Sequence, residues 1–544
     1  MEKQGATVSR YEVALDEIDG VPRPAAMGTV TIAEDEDILL VPSPSADPRD
    51  PLNLSRTRKI IFVVLLSIFS SLGLSLVSGF GGLLAFYIPQ YAAAGKGYGD
   101  ISALMTFPSM FMGVGNLIGV PLAMAVGRRP VYLAANVILI AAAILAAYSK
   151  SYEWHLAARM VLGLAAGQSE ALVPMMIQEV HFLHERSTFL MVQSAGQTIV
   201  SAIYCLFASP IAGAIGPSNW YNLGSGLSAI IFILSVFLVP ESKYDRSLIA
   251  YGQVSEAVAL GKLDDIEDAP RPVTMSHRPA MDLVKYKPRT LRSDMTLFAN
   301  PPDWMEGWYT IKNTFEVMLF PNVFWAFCLN GLTLGINIAI GTTYSSIVTA
   351  PPYNWANKYA SYVNTGQIVT ALVALPLLGN GSDWLIKRRA RRNNGVHEPE
   401  NRLLMLWIPV VIGIISCVLY GEAGAHPERF HWFAIVFAFA GYYFCFVGAN
   451  IAAITYLLDA YPARAAPMLV VICAFRGFVS FGTSYGVTKF IATAGYDGSF
   501  GAYAGMTAFF GVLGIPVFLW GKCIRRFTGK WAQKEMTGKP SMAR

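Results

Sequence analysis

Residues 102–129 read SALMTFPSMFMGVGNLIGVPLAMAVGRR, with no charged side chain from Ser102 to Gly127 and then two arginines. A membrane-spanning helix needs about 20 mostly apolar residues, and basic residues gather at its cytoplasmic end. The stretch therefore reads as a helix that crosses a bilayer and leaves it at Arg128–Arg129. A counterpart lies 260 positions further on. The run 359–386 ends in Gly379-Asn-Gly-Ser-Asp383-Trp-Leu-Ile-Lys387-Arg388-Arg389. Two copies of one helix-and-basic-turn unit indicate a parallel repeat of two equivalent halves, a transporter architecture with its site at the midplane.

Ten further apolar runs extend this reading. The first six runs are 60–88, 102–125, 131–149, 153–178, 188–212 and 219–239; the last six are 321–349, 359–386, 403–420, 431–457, 465–490 and 499–521. The expected organisation is a tail (1–58), a six-helix half (59–239), a polar linker (240–320), a second six-helix half (321–522) and a short tail (523–544). The fold class is thus all-α, with twelve transmembrane helices. Composition agrees: 54% of the 544 residues are hydrophobic and only 14% are charged, against about a quarter in soluble proteins. Such a chain cannot hide its apolar surface as a water-soluble globule. Disorder, collagen and coiled coil are excluded by the same numbers.

The positive-inside rule orients the chain. With the N-terminus cytoplasmic, 34 of the 41 basic residues fall on the cytoplasmic side; Lys96, Lys150, Lys358, Arg429 and Lys489 fall outside, and Arg159 and Arg476 lie within spans. Both termini are then cytoplasmic. The first 58 residues are polar and Pro-rich, so the first apolar run itself is expected to direct insertion. The net charge of +5 is too small and too dispersed to signal nucleic acid. Six scattered cysteines with no CxxC spacing predict neither a disulfide framework nor a metal site. No phosphate-binding loop, dinucleotide fingerprint or HExxH occurs. Neither a cofactor nor an enzymatic activity is expected, and an ion gradient is the expected driving force.

Several motifs make the chain resemble a major facilitator superfamily transporter over roughly 47–525. The loop after the second run, Gly119-Val-Pro-Leu-Ala-Met124-Ala-Val-Gly127-Arg128-Arg129, is similar to that family's G-x-L-A-D-R-x-G-R-R/K; Met124 replaces the acid, while the second-half copy keeps Asp383. Arg159-Met-Val-Leu-Gly163 resembles the family's R-x-x-x-G in the fourth span. Ser209-Pro210-Ile-Ala-Gly213-Ala214 is a degraded form of the antiporter motif G-P-x-x-G-G. Asp50-Pro-Leu-Asn-Leu, His184-Glu185-Arg186 and Tyr456-Leu-Leu-Asp459-Ala-Tyr461-Pro462 resemble a fungal drug:proton-antiporter-like branch that includes multidrug, secondary-metabolite and polyamine carriers. The resemblance implies that spans 1, 4, 7 and 10 line a cavity beside spans 2, 5, 8 and 11, and that spans 3, 6, 9 and 12 face lipid.

Charge at membrane depth costs about 2.5–3.5 kcal/mol per residue on insertion scales, so it marks a functional site. Three residues qualify. Glu170, eleven positions after Arg159, falls on the same face of a continuous helix as Arg159, Gly163 and Gly167. It is the candidate proton carrier, with Arg159 as its coupling partner; a fixed ion pair for Glu170 and snorkelling for Arg159 are the competing readings. Pro174 could bend the helix nearby. Arg476 lies too deep to snorkel and needs an anion: Glu170, a carbonyl cluster or the substrate.

Uncharged polar residues recur at helical spacing. Gln193, Gln197 and Tyr204 lie in the fifth run, Asn330, Asn337 and Tyr344 in the seventh, Asn364 and Gln367 in the eighth, and Tyr443 and Asn450 in the tenth. Each stripe must turn away from lipid. With Arg476 these residues form the expected substrate cavity, while the first run's Ser67, Ser71, Ser75 and Ser78 fit interhelical hydrogen bonding better. At the cytoplasmic ends, Gly127, Arg128, Arg129, Glu179, Asp383, Arg388 and Asp459 are candidate gating residues; Pro210 and Gly213, of the fifth span's degraded motif, are gating candidates apart from these. Plain positive-inside anchoring is the alternative for the basic cluster. Arg186 and Arg464, which follow Glu179 and Asp459, are candidate latch partners.

A cavity with amides, tyrosines, one carboxylate and one arginine suits an amphipathic organic molecule. The expected function is proton-coupled export of such a compound, a drug or a secondary metabolite. The alternatives are proton symport for uptake of a nutrient such as a polyamine and, less in keeping with the short C-terminal tail, a non-transporting nutrient sensor. The expected partners are the lipid bilayer, the organic substrate and protons, with no nucleic acid. A multi-pass monomer in the plasma membrane is the default.

Overall fold

The computed structural model describes residues 42–244, 281–282, 284–298, 301–392, 399–461 and 465–536, together with 16–18, 21–23, 33–34, 37–38 and 40 of the N-terminal tail. Two short antiparallel pairings occur in that tail, Asp16–Ile18 with Val21–Arg23 and Ala33–Glu34 with Asp37–Ile38. The other regular elements among the described residues are helices. Among the described residues, eleven helices are long and apolar enough to cross a membrane. The 28-residue helix Thr365–Arg392 occupies the place of the eighth run.

We number the spanning helices in order. The first half comprises α1 (Arg56–Ser78), α2 (Tyr98–Val126), α3 (Arg128–Ala147), α4 (Tyr152–Gly167, resumed as Leu172–Val180), α5 (Leu183–Leu206) and α6 (Pro217–Leu238). The second comprises α7 (Pro321–Thr349), α8 (Thr365–Arg392), α9 (Trp407–Ala425), α10 (Phe433–Ala460), α11 (Ala465–Tyr485) and α12 (Val487–Val512). Gly514–Met536 extends α12, which kinks at Gly495 where φ is +72°. The halves meet where α2 packs on α11 and α5 on α8.

Without water in the bilayer core, helices associate through close packing and interhelical hydrogen bonds. Small residues set that approach. A Cβ added to Gly113 of α2 would come within 2.5 Å of the Ala474 carbonyl, and one on Gly477 of α11 within 2.9 Å of the Ser109 carbonyl. The backbones of the two halves touch there. On the opposite faces, α3, α6, α9 and α12 expose large apolar side chains such as Val137, Ile230, Ile415 and Phe509 to the surroundings.

Prolines free carbonyls that tertiary donors then use. A proline has no N–H to return to the carbonyl four residues back. Pro108 leaves the Leu104 carbonyl, which accepts from Arg159 Nε at 2.6 Å. Pro174 leaves the Glu170 carbonyl, which accepts from the Cys473 thiol at 3.3 Å. Pro210 leaves the Leu206 carbonyl, which accepts from Ser361 Oγ at 2.7 Å. The second and third of these bonds join the two halves.

Candidate functional site

The central polar cluster is assembled from four helices. α4 is interrupted at Gln168–Ala171, and Glu170 sits in the break. The uninterrupted face expected for Arg159, Gly163, Gly167 and Glu170 therefore stops at Gly167. The chain passes through i→i−3 turns at Ser169 and Glu170, and Val173 N–H reaches back to the Gln168 carbonyl. This break turns the Glu170 carboxylate onto the Arg476 guanidinium of α11 in an ion pair between the halves. Arg476 is 2% exposed. Its Nη1 donates to Asn450 Oδ1 of α10 at 2.7 Å, and the Asn330 amide of α7 donates to the same oxygen at 2.9 Å. Arg476 Nε, Asn330 Oδ1 and Asn337 Oδ1 are buried without a hydrogen-bond partner. In a low-dielectric interior such atoms are costly, and they suit a polar ligand better than a finished core.

Arg159 is occupied differently. It is fully buried. It donates to the carbonyls of Leu104, Leu76 and Val77 and to the Tyr221 hydroxyl, and its guanidinium lies 4.2 Å from the Phe80 ring centroid. His155, one turn earlier on the same helix, bridges the hydroxyls of Tyr91 and Tyr221 at 2.8 and 3.1 Å. This network lies wholly inside the first half, where it ties α4 to α1, α2 and α6. The i, i+4 spacing of His155 and Arg159 was the available sign in the sequence.

The other cavity candidates separate by level. Gln193 Nε2 donates to Gln197 Oε1 at 2.7 Å along α5. The Tyr204 hydroxyl donates to the Trp220 carbonyl, which turns it toward α6 and away from the centre. Its ring also lines an apolar cleft of about 340 Å³ between α1, α5 and α6. Tyr443 packs with Ala374 and Leu378 of α8, and Gln367 is half-buried on α8. The α1 serines bond back into their own helix, Ser67 to the Val63 carbonyl and Ser71 to the Ser67 carbonyl.

Tyr344 and Asn364 belong to a seal at the end of the bundle remote from both termini. Asn364 Nδ2 donates to the Tyr344 hydroxyl at 3.3 Å. A Cβ on Gly81 would lie 2.5 Å from the Gly341 carbonyl, so the tight turn Gly79–Gly82 that follows α1 rests directly on α7. Ser209, beside Pro210, donates to the Gly82 carbonyl at 2.7 Å and exchanges two backbone-to-hydroxyl bonds with Ser361. Gly213 lies against Lys358.

At the other end, Arg128–Glu179 lies within the first half and Arg402–Asp459 within the second. Arg128 binds Glu179 at 2.7 Å, and Ser242 donates to the same carboxylate. Glu241 accepts from the first two backbone N–H groups of α3, at Arg128 and Arg129, an anion at a helix N-terminus. Gly127, with φ at +125°, leaves room: a Cβ there would meet Glu241 Oε2 at 2.6 Å. Arg129 is buried among the carbonyls of Val236, Val239, Met295 and Thr296. In the second half Asp459 pairs with Arg402, and Glu400 holds Arg525 through two bonds of 2.7 and 2.8 Å. Arg388 is exposed at the end of α8. The side chains of Asp383, Lys387 and Arg389 and the whole of Arg464 lie outside the described residues. The partners found for Glu179 and Asp459, Arg128 and Arg402, are 51 and 57 positions away in sequence. Nothing in the spacing pointed to Glu241, Arg402, Glu400 or Arg525.

Among the described residues no cluster of three or more His, Cys, Asp or Glu could hold a metal ion.

Comparison with known proteins agrees with this architecture. The chain is 24% identical over 93% of its length to an uncharacterised MFS-type transporter of Schizosaccharomyces pombe, of which it covers 91%. It is 22% identical to the protein HOL1 of Saccharomyces cerevisiae, with 91% of each chain covered. Solved structures that share its fold include the two that follow. One is the xylose transporter XylE of E. coli (TM-score 0.52, 14% identity, 83% of this chain and 97% of that one). The other is a POT family transporter (TM-score 0.56, 10% identity, 88% and 99%). The profile of the Major Facilitator Superfamily matches residues 63–469, so the chain belongs to that superfamily.

Proposed function

We propose that this secondary transporter is proton-coupled, and that it exports an amphipathic organic compound by alternating access. The observation that carries the reading is the buried ion pair between Glu170 of α4 and Arg476 of α11. Removing one member of a buried pair costs about 3–5 kcal/mol, because the other charge is left uncompensated. Protonation of Glu170 does this reversibly. It weakens the tie between the halves and takes away the carboxylate charge, so that a proton and a substrate that uses that carboxylate occupy the site in turn. Deprotonation restores the tie. Proton occupancy and the cohesion of the halves are thereby linked, as exchange requires.

The remaining cluster supports an organic ligand. Asn330, Asn337 and Arg476 offer one spare acceptor, another acceptor and one spare donor in an otherwise apolar interior. Arg159 acts as a positioning residue that fixes the outer segment of α4 against α1 and α2, so that the break carrying Glu170 stays aligned with α11. Ser209, Ser361, Tyr344 and Asn364 form the outer gate; Arg128–Glu179 and Arg402–Asp459 stiffen the inner ends of the two halves. We infer membership of the drug:proton-antiporter-like group.

The test is efflux from a pump-deficient yeast loaded with a panel of fluorescent and toxic organic compounds, comparing the wild type with Glu170→Gln. Loss of a compound that depends on the proton gradient and is abolished in the variant is the expected result. Gradient-driven accumulation would make the chain an uptake carrier, and gradient-independent movement in both proteins would remove the proton from the account.

A further inference from the structure

The polar linker is not all loop. Trp304–Met318 forms a 15-residue helix between the two halves. Asp303 caps it by accepting from Met305 and Glu306 N–H, while its own N–H donates to the Ala125 carbonyl at the end of α2. One face, Gly307, Thr310, Thr314 and Val317, is buried. Gly307 allows the approach to α2, since a Cβ there would lie 3.0 Å from the Pro121 carbonyl. Phe315 meets Phe475 of α11 edge-on at 6.2 Å. The helix therefore touches one spanning helix from each half.

Its outer face should be polar if it met water. Instead Trp304, Trp308, Ile311, Phe315 and Leu319 recur at helical spacing along it. Trp304 is 66% exposed, Trp308 62% and Leu319 75%. The stripe runs without interruption through Leu319 into α7, whose first turn exposes Phe324. It is thus continuous with the lipid-facing surface of a spanning helix. Two tryptophans at its start have the amphipathic character of residues at the headgroup level. The preceding segment lies at the same level: Asp294 pairs with Arg58 in the first turn of α1, and the carbonyls of Met295 and Thr296 hold Arg129 in the first turn of α3. That segment exposes Lys285, Lys287 and Arg292.

We propose that residues 284–298 and 301–319 form a membrane-surface anchor. The helix Trp304–Met318 lies in the plane of the cytoplasmic leaflet with its aromatic stripe among the lipids, and Lys285, Lys287 and Arg292 lie over anionic headgroups. A helix in this position buries its apolar face at the acyl boundary, and each basic residue near an anionic surface adds about 1 kcal/mol. Because it rests on both α2 and α11, the anchor makes the relative position of the two halves sensitive to the lipids under it. This inference is independent of the transported compound and of proton coupling.

The test uses the full chain with its native cysteines replaced, carrying one spin label at a time at positions 304–319, in phosphatidylcholine nanodiscs. Collision with oxygen, which concentrates in lipid, is compared with collision with a water-soluble nickel complex. The expected pattern is an oxygen-to-nickel ratio several-fold higher at 304, 308, 311, 315 and 319 than at 306, 309, 312 and 316. High nickel access along the stripe would place it in water. Low access to both reagents would place it against protein, including a second copy of the chain. Either result overturns the anchor. Labels at 285 and 287 test the headgroups: adding phosphatidylserine is expected to slow their motion and lower nickel access, and no change overturns the anionic contact.

Discussion

Replacing Glu170 by Gln removes one charge and keeps the size of the side chain. In the wild type the Arg476 guanidinium is 2% exposed and has two polar partners, the Glu170 carboxylate and Asn450 Oδ1. Without the carboxylate, one amide oxygen must balance a full buried charge. Breaking such a pair costs about 3–5 kcal/mol. Asn450 remains, and Glu170 itself is 12% exposed at its side chain, so the expected loss is about 3 kcal/mol. Arg476→Gln should cost about the same by stranding the carboxylate. The double variant should recover most of the loss, because no buried charge remains and two amides can bond to each other. Detergent-titration unfolding in mixed micelles reads all four proteins as a double-mutant cycle. A coupling energy of about 2 kcal/mol or more is expected. Losses that add independently would refute the reasoning, since the two groups would not be sharing one electrostatic site.

Other consequences follow from single contacts. Ser361→Ala removes the donor to the Leu206 carbonyl and the acceptor for Ser209 N–H; at about 1 kcal/mol for each of the two bonds, labelling of an outer-cavity cysteine should rise about thirtyfold in rate. Arg159→Lys cannot reproduce donation to three carbonyls and a tyrosine hydroxyl, and should lower unfolding stability by about 2–4 kcal/mol; an unchanged melting curve would contradict the positioning role. Gly113→Val places atoms where the Ala474 carbonyl already lies and should abolish transport while the chain still inserts, as read by surface biotinylation beside uptake or efflux. His181, outside the spans, donates to the Ile177 carbonyl, and burial pushes its imidazole down to about 4 from 6.5. Its folded state resists a proton that the unfolded chain accepts, so stability is retained above pH 6.5 and declines as pH falls toward 4; His181→Gln should flatten that part of the pH profile.

Much of the architecture was legible because the bilayer imposes simple rules. Long uncharged runs had to span, and the basic turns at Arg128–Arg129 and Arg388–Arg389 exposed the two-half repeat. The intramembrane charges were legible for the same reason: Glu170 and Arg476 had no cheap place in lipid. What escaped was the local backbone. Hydropathy carries no sign of the break at Gln168–Ala171, and only Pro174 hinted that the Glu170 carbonyl would be free. Distant partners escaped as well. Glu179 finds Arg128, and Glu241 caps α3, through packing that no spacing encodes. The helix Trp304–Met318 was hidden because a 15-residue amphipathic segment amid charges falls below the length of a span and beneath the signal of a hydropathy window.

The central claim is that one carboxylate links proton occupancy to the movement of the halves. The most direct measurement is transport in proteoliposomes with an imposed pH gradient, using a compound identified by efflux, for the wild type and Glu170→Gln. The wild type should concentrate the compound against its own gradient when driven by protons. The variant should still exchange it between compartments at equal pH but show no response to the gradient. A Glu170→Gln protein that still concentrates the compound under a pH gradient would contradict the account, because the proton would then be carried elsewhere.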